Sequence, residues 1–449
     1  MTEHRKYSDD IDLTRASRFL IVTASLGLFL DGFSVVGFGG ALLGINATLH
    51  PSALILGLLA STIFIGEMIG TLVSGAIVDR FGRRPVFLID MGILIAASLA
   101  FLLPQTPLSI TILRLVVGIC VGADMNSSMA MITESSPRKQ RGKFSGLVQT
   151  YWFGGGAVGS VVSIGVYALG GLHAWPFILA SVAVPALVIV GLRARVSETS
   201  RWQQTQVLGS LSSRMTSVST PSVATIDEVP MGKTLFRGRG FYLLVFYAMM
   251  WALSGFGGSI VGIYSTVIVK EISSKPSPTF ALSAAAVFYI IDAIAGLVVA
   301  FLVLRRVGRR PTVIWSFIIP TVLFCLAGLM LKDHIVAMVM FGVGGAVLLS
   351  GTGNMYFVYT ELFPTAVRGR AIGISNAFGK VSSLIGVLIF PSLVKNISLE
   401  GGFLVVAATL FCGAVLCLVM APETKDQSLD VLEARVVTGT VPDSISIKP

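Results

Sequence analysis

Charged side chains are scarce in this chain of 449 residues. Only 12% of the residues are Asp, Glu, Lys or Arg, whereas 54% are hydrophobic. A soluble domain carries about 25% charged residues, and so little charge cannot cover this much apolar surface in water. The composition excludes an ordinary soluble protein and indicates one that lies in a lipid bilayer.

Cysteine and histidine are also rare. The four cysteines fall inside apolar runs without the spacing of metal ligands, so the sequence predicts neither a disulfide framework nor a zinc site. The four histidines lie outside the apolar runs. Since no nucleophile with a base, and no metal cluster, stands out in those runs, we expect neither an enzyme nor a bound cofactor.

Twelve apolar runs are long enough to cross a bilayer, which takes about 20 residues per helix. They occupy residues 18–45, 53–78, 86–104, 107–133, 144–170, 174–193, 241–268, 280–303, 312–331, 335–360, 371–395 and 402–421. We therefore predict an all-α membrane protein with twelve transmembrane helices. Its predicted parts are an N-terminus (1–17), a six-helix bundle (18–202), a Ser- and Thr-rich linker (203–240), a second six-helix bundle (241–421) and a tail (422–449).

Basic residues gather on one side of these runs. Of the 33 Lys and Arg residues, only Lys270, Lys275, Lys332 and Lys395 fall in loops on the side away from the termini. The positive-inside rule then places both termini and the linker in the cytoplasm. The net charge of +10 follows from this topology and not from binding of nucleic acid. We expect a multi-pass protein of the cell membrane that functions as a monomer.

One short basic segment occurs twice. GAIVDRFGRRP at 75–85 returns 226 positions later as FLVLRRVGRRP at 301–311, and Glu134 has a counterpart in Glu361, 227 positions further on. An interval of this length implies two homologous bundles of helices, because solenoid and propeller repeats are far shorter.

The twelve runs, the repeated segment and several short motifs resemble the major facilitator superfamily over nearly the whole chain. VSETSRW at 196–202 and PETKDQSL at 422–429 are similar to the PESPRW and PETKGxSL motifs of sugar porters. Gln149 stands where those proteins carry a substrate-contacting glutamine, but their glutamine pair in helix 7 is missing. LDGFSVVGFG, with Asp31, and the GAD that contains Asp124 resemble motifs of proton symporters for phosphate and organic acids.

This resemblance implies two pseudo-symmetric six-helix bundles around a central site that opens alternately to either side of the membrane. It implies a secondary active transporter that imports a small polar solute, such as a sugar, a polyol or an organic acid, with protons as the coupling ion. Facilitated uniport, proton-driven export and a nutrient sensor that binds without transport are the alternatives.

Ionisable residues inside the predicted spans are candidate functional positions, because a charge near the middle of a bilayer is costly. At about 1.5 Å of helix per residue, one common layer holds Asp31, Glu67, Asp124, Asp292 and Lys380, with Arg114 further out. Four acids and one lysine in that layer cannot all be ionised cheaply, so we expect at least one acid to bind a proton. Asp31 and Asp124 are the first candidates, with a structural hydrogen bond as the alternative for each.

The other buried charges have two interpretations each. Glu67 and Asp292 either take part in transport or pack helices together. Arg114 and Lys380 either neutralise the acids or bind a carboxylate of the substrate.

Two further sets complete the predicted site. The polar and aromatic side chains expected to bind the substrate, with ordinary packing as the alternative for each, are Gln149, Trp152, Trp251, Asn354 and Tyr356. The charged residues expected to form ion-pair networks at the cytoplasmic helix ends are Asp79, Arg80, Arg83, Arg84, Glu134 and Arg141 in the first half and Arg309, Arg310, Glu361 and Arg368 in the second. Breaking these networks would open the inward path.

Overall fold

The computed structural model describes residues 15–81, 83–103, 105–135, 141–194, 235–273, 277–363 and 365–425. Every long regular element in these residues is a helix, and no strand occurs among them. The predicted N-terminus up to residue 14, most of the predicted linker and the tail beyond residue 425 lie outside the described residues.

Twelve long helices follow one another in the described residues. The first six are α1 (Arg15–Leu49), α2 (Ala53–Phe81), α3 (Arg83–Ala100), α4 (Pro107–Ser135), α5 (Arg141–Gly170) and α6 (Leu172–Arg193). The second six are α7 (Gly238–Ile272), α8 (Pro278–Arg306), α9 (Arg309–Leu329), α10 (His334–Leu362), α11 (Thr365–Asn396) and α12 (Leu399–Met420). Eleven are long and apolar enough to span a membrane, and α3 contributes a shorter apolar helix at Pro85–Ala100. The twelve predicted spans are thus confirmed as helices.

Local sequence explains several helix boundaries. The side chains of Ser277, Asp333 and Ser398 cap α8, α10 and α12 by accepting a backbone N–H three residues further on, at 3.0 to 3.3 Å. Within α6 the helix breaks between Ala180 and Ala183. Pro185 lies four residues after Ser181 and has no N–H to donate to its carbonyl, which accounts for the break.

The two halves repeat the same packing. α1 packs on α5 and α3 on α6 in the first half, and α7 packs on α11 and α9 on α12 in the second. Each packed pair in the first half therefore has a counterpart six helices later in the second half, as expected for duplicated bundles. Between the halves, α2 packs against α11, α5 against α8, and α1 against α7.

The halves touch at the end of the bundle away from the start of α1. The Thr266 hydroxyl donates a 2.8 Å hydrogen bond to the carbonyl of Gly39, which joins α7 to α1. Gly39 also packs directly on the backbone of Ile263, and Gly57 of α2 packs on the backbone of Leu388 in α11, so a side chain at either glycine would collide with the opposite half. These contacts close that end of the bundle.

Candidate functional site

A cavity of about 130 Å³ lies between the two halves. Helices α1, α2, α4 and α5 line it from the first half, and α7, α10 and α11 line it from the second. Four of the five predicted substrate-binding residues are among its lining residues, namely Gln149, Trp152, Trp251 and Tyr356. The structure therefore brings together side chains from three helices that are far apart in the sequence.

Asn354, the fifth predicted substrate-binding residue, is absent from the lining of the cavity. Its side chain is completely buried, and its amide donates to the carbonyls of Ser350 at 2.7 Å and Gly296 at 3.2 Å. Asn354 thus ties α10 to α8. The reason is helical geometry, since a residue two positions before Tyr356 is turned about 200° away from it.

Stacked aromatic rings form the wall of the cavity in the second half. The rings of Trp251 and Tyr356 stack with centroids 4.0 Å apart, and the Tyr247 ring also stacks on Tyr356, with centroids 5.1 Å apart. The Tyr247 hydroxyl also donates a 2.9 Å hydrogen bond to the Tyr356 carbonyl. The stack presents a flat, apolar face held in place on two elements, α7 and α10.

Asp31 lines the cavity from α1 and is buried. Its Oδ2 accepts a 2.9 Å hydrogen bond from the indole N–H of Trp152, while its Oδ1 has no hydrogen-bond partner among the described residues. Gly32 makes this arrangement possible, because the Trp152 carbonyl occupies the space that a side chain at position 32 would take. The close approach of α1 and α5 therefore places Trp152 beside the acid.

Glu67 and Lys380 form an ion pair across the two halves, from α2 to α11. Both residues line the cavity. The lysine ammonium also lies 5.6 Å from the centre of the Phe64 ring, and Glu67 Oε1 has no hydrogen-bond partner among the residues described. Four glycines, Gly66, Gly70, Gly118 and Gly122, allow α2 and α4 to pack backbone to backbone next to Glu67.

Asp124 forms an ion pair with Arg193, the last residue of the predicted apolar run 174–193. Arg193 donates from both terminal nitrogens to the two Asp124 oxygens, and also to the Ser128 hydroxyl at 3.2 Å and the Thr23 carbonyl at 3.4 Å. Its guanidinium lies 4.5 Å from the centre of the Phe87 ring. Neither Asp124 nor Arg193 lines the cavity.

The sequence gives one indication that Arg193 could reach Asp124, although it does not decide the matter. Arg193 belongs to the apolar run 174–193 itself, and its side chain is 4% exposed. A terminal position in a run does not reveal whether a long side chain turns inward to the bundle or outward to the interface, so the sequence left this choice open.

Arg114 and Asp292 are buried but lie away from the cavity. The Arg114 guanidinium stacks 3.8 Å from the centre of the Phe38 ring and donates to the Ala60 carbonyl at 3.5 Å. Asp292 Oδ1 has no hydrogen-bond partner among the described residues. In this conformation neither residue forms an ion pair in the described part of the chain, so Arg114 does not take up the predicted direct pairing with an acid.

Arg309 and Glu361, two of the residues predicted for an ion-pair network in the second half, form an ion pair. Arg309 donates to Glu361 at 3.0 Å and also to the Thr424 hydroxyl at 2.9 Å. Arg310 donates to the Leu418 carbonyl at 3.1 Å. The described start of the PETKDQSL motif is therefore tied to α9. The remaining predicted network side chains, Asp79, Arg80, Arg83, Arg84, Glu134, Arg141 and Arg368, lie outside the described side chains.

Glu423 fixes the start of α9. Its carboxylate accepts the backbone N–H groups of Arg309 and Arg310, each at 3.1 Å. Partial burial raises the pKa of Glu423, but the backbone N–H donors, which include those of Lys425 and Thr424, outweigh it and hold the pKa below its ordinary value. Gly308, with φ of 100°, allows the chain to turn into α9 at this point.

Sequence comparison identifies related transport proteins. A family model described as "Sugar (and other) transporter" matches residues 20–435. The putative metabolite transport protein YaaU of Escherichia coli (strain K12) is 29% identical over 434 residues, which cover 94% of this chain and 95% of that protein. The arabinose-proton symporter of Bacillus subtilis (strain 168) is 23% identical over 435 residues, which cover 91% of this chain and 93% of that protein.

Solved structures share the fold. The xylose transporter XylE from E. coli, in a partially occluded inward open conformation, aligns with a TM-score of 0.76 at 21% identity over 92% of this chain and 100% of that chain. A D-xylose-proton symporter structure aligns with a TM-score of 0.76 at 22% identity over 91% of this chain and 98% of that chain. At this level of identity the match shows the fold, and it confirms the predicted twelve-helix architecture of the major facilitator superfamily.

Proposed function

This chain belongs to the sugar (and other) transporter family, and on that premise we propose that it is a proton-coupled symporter that imports a small polar solute. It is a multi-pass membrane transporter and not an enzyme. One observation carries the proposal: the cavity between the halves holds a buried carboxylate, Asp31, beside polar and aromatic side chains. A cavity that both halves line becomes accessible from either side when the halves rock.

The lining of the cavity supports a solute with several hydroxyl groups. Gln149, Ser254, Ser259 and Thr352 line the cavity. The Gln149 amide can both donate and accept hydrogen bonds, whereas the hydroxyls of Ser254 and Thr352 donate to the carbonyls of Trp251 and Leu348 and keep lone pairs that can accept from the solute. The Trp251 and Tyr356 rings provide an apolar face for the C–H groups of a ring. Relatives named as arabinose, glucose and myo-inositol transporters support the same class of solute.

We assign the coupling proton to Asp31. This carboxylate is buried in the cavity and keeps one oxygen free of hydrogen bonds to the described residues, so a proton arriving from either side has a place to bind. Protonation removes a buried charge and so favours the rocking step that a bare carboxylate opposes. Asp124, the second predicted carrier, has Arg193 as a counter-ion outside the cavity, which favours a structural role for it.

The proposal also includes the orientation of the protein in the membrane. We keep the predicted topology, with both termini in the cytoplasm and the chain in the cell membrane, because it follows from the distribution of Lys and Arg. The closed contacts at Gly39 and Gly57 then lie on the outer side. The Arg309–Glu361 ion pair lies at the cytoplasmic side, where its rupture helps to open the inward path.

Uptake into proteoliposomes tests the proposal. Vesicles with an alkaline interior would be offered radiolabelled xylose, arabinose, myo-inositol and gluconate, which represent sugars, polyols and organic acids. We expect the wild type to accumulate at least one of them above its external concentration. We expect Asp31→Asn to lose accumulation but keep exchange of internal for external solute. We expect the double variant Asp124→Leu with Arg193→Met, which removes both charges of the buried pair, and the exposed control Glu271→Gln to keep accumulation.

Other outcomes would replace the proposal. Full accumulation by Asp31→Asn would show that this carboxylate does not carry the coupling proton. Uptake that only equilibrates, whatever the pH gradient, would indicate a facilitated uniporter. Binding of a solute without any flux would indicate a sensor.

A further inference from the structure

Lys380 is the one basic residue lining the cavity in the part of the chain that the structure describes. Its ammonium has Glu67 Oε2 as its hydrogen-bond acceptor, and an ammonium has three N–H groups to donate. The Lys380 side chain is 14% exposed, against 1% for Glu67. A solute in the cavity therefore has more access to the lysine ammonium than to the glutamate carboxylate.

The Glu67–Lys380 ion pair joins the two halves of the protein, which must move relative to each other during transport. Glu67 belongs to the first half and Lys380 to the second, and alternating access requires the two halves to rock against each other. Separating a buried ion pair without replacing a partner is strongly unfavourable. A hydroxyl group of a neutral solute carries no charge and cannot replace Glu67, whereas a carboxylate can.

The buried charges near Lys380 determine how many negative charges a solute can bring into the cavity at low cost. Arg114 is buried and contacts the Phe38 ring of α1 and the Ala60 carbonyl of α2, the two helices that carry Asp31 and Glu67. These three residues and Lys380 together carry no net charge when all are ionised. One carboxylate added by the solute leaves a single negative charge, and one proton bound by Asp31 cancels it. A phosphate or dicarboxylate would leave further negative charge in a cavity that already holds two acids.

We propose that the solute is a sugar acid, a polyhydroxylated monocarboxylate whose carboxylate binds Lys380 in place of Glu67. The proposal rests on the proposed transport function and specifies its substrate class. The Lys380 ammonium binds the carboxylate, Gln149, Ser259 and Thr352 bind hydroxyl groups, and the Trp251 ring covers the carbon skeleton. One proton enters with each anion, so the transport cycle is electroneutral.

Binding of matched acids and alcohols tests this substrate class. D-gluconate would be compared with D-glucitol, and D-galacturonate with D-galactose, because the members of each pair differ only in a carboxylate that replaces one CH2OH group. Quenching of tryptophan fluorescence reports binding, since Trp152 and Trp251 line the cavity. We expect the purified wild type to bind at least one acid at least about tenfold more tightly than its neutral counterpart, a difference of about 1.4 kcal/mol.

Variants test whether the Glu67–Lys380 ion pair is responsible for the preference for the acid. Lys380→Met together with Glu67→Gln removes both charges at once, so the fold is not left with an unpaired buried ion, and we expect this double variant to bind acid and alcohol equally. We expect Lys380→Arg to keep the preference for the acid. The matched control is Lys395→Met, which removes an exposed lysine of the same helix outside the cavity and should behave like the wild type.

The outcomes separate this inference from the proposed function. Equal binding of acids and alcohols by the wild type, binding of neither acid, or a preference for acid that survives in the double variant would overturn the sugar-acid assignment. If D-glucitol or D-galactose were accumulated in an Asp31-dependent way under the same pH gradient, the proposed function would stand and only the substrate class would fall. If no probe were accumulated, both would fall.

Discussion

The indole N–H of Trp152 donates a 2.9 Å hydrogen bond to Oδ2 of Asp31 inside the cavity. The bond joins α5 to α1 and holds the carboxylate against the cavity wall. Hydrogen bonds to charged groups contribute about 1.5–3 kcal/mol, so Trp152 both lines the cavity and positions the proposed proton carrier.

Trp152→Phe should therefore impair transport while keeping an aromatic ring in the cavity. We expect the initial rate of pH-driven uptake to fall about tenfold or more, because about 1.4 kcal/mol corresponds to one factor of ten. The control is Trp175→Phe, which removes another buried indole N–H, the donor to Thr48 at 3.0 Å, away from the cavity. Equal uptake by the two variants would contradict the positioning role of Trp152.

Arg193→Met should destabilise the first half. Removing one partner of a buried ion pair costs about 3–5 kcal/mol, because it leaves the Asp124 carboxylate buried without its counter-ion. In detergent we expect the apparent melting temperature to fall by roughly 10 °C. The double variant Asp124→Leu with Arg193→Met should recover much of that loss, and the exposed control Arg239→Met should melt like the wild type. If the double variant melted as low as Arg193→Met alone, the pairing would not be the cause.

Two neighbouring glycines in α5 should respond oppositely to alanine. A methyl group at Gly155 would collide with the carbonyl of Phe29 in α1, whereas one at Gly154 would meet no atom within 4 Å. Gly155→Ala should lower stability by about 1–3 kcal/mol through overpacking, and Gly154→Ala should be neutral or stabilising by up to about 1 kcal/mol. Thermal melts of both variants measure the difference, and similar melting temperatures would argue against the close approach of α1 and α5.

Glu423→Gln should lower the melting temperature at neutral pH by no more than a few degrees. The pKa of Glu423 in the folded protein lies below its ordinary value, so its contribution to stability is present above the pKa of a glutamate in the unfolded chain, about 4.3. That contribution is lost as the pH falls through the folded pKa. Melts from pH 7 to pH 3 should show the two proteins converging in the acidic range. Glu271→Gln, at an exposed position, is the matched control, and a constant difference across that range would contradict the capping role.

Much of the cavity was predictable from residue types and from their depth in the helices. The residues that line it as predicted are Asp31, Gln149, Trp152, Trp251 and Tyr356. Polar residues near the middle of a membrane-spanning helix avoid the lipid, so they turn towards the interior of the bundle. Asn354 was predicted with them and is turned away, since depth along a helix does not specify rotation about its axis.

For the same reason, the sequence did not specify which buried charges pair with each other. Depth alone placed Asp31, Glu67, Asp124, Asp292 and Lys380 in one layer, and the structure separates the members that line the cavity from those that do not. Asp124 pairs with Arg193 outside the cavity, whereas Glu67 pairs with Lys380 inside it. The proposed roles of Asp31 in coupling and of Lys380 in substrate recognition both depend on this division.

The sequence by itself determined the membrane location, the number of spans and the duplicated architecture, because each depends on the length and composition of local apolar runs and on their repetition. Only the tertiary structure decided which charges meet. The partners Glu67 and Lys380 are 313 positions apart, and Asp124 and Arg193 are 69 apart. Their pairing depends on how each helix is rotated against its neighbours, and that rotation is set by the packing of the whole bundle, including the glycines that allow α1 to approach α5 and α2 to approach α4.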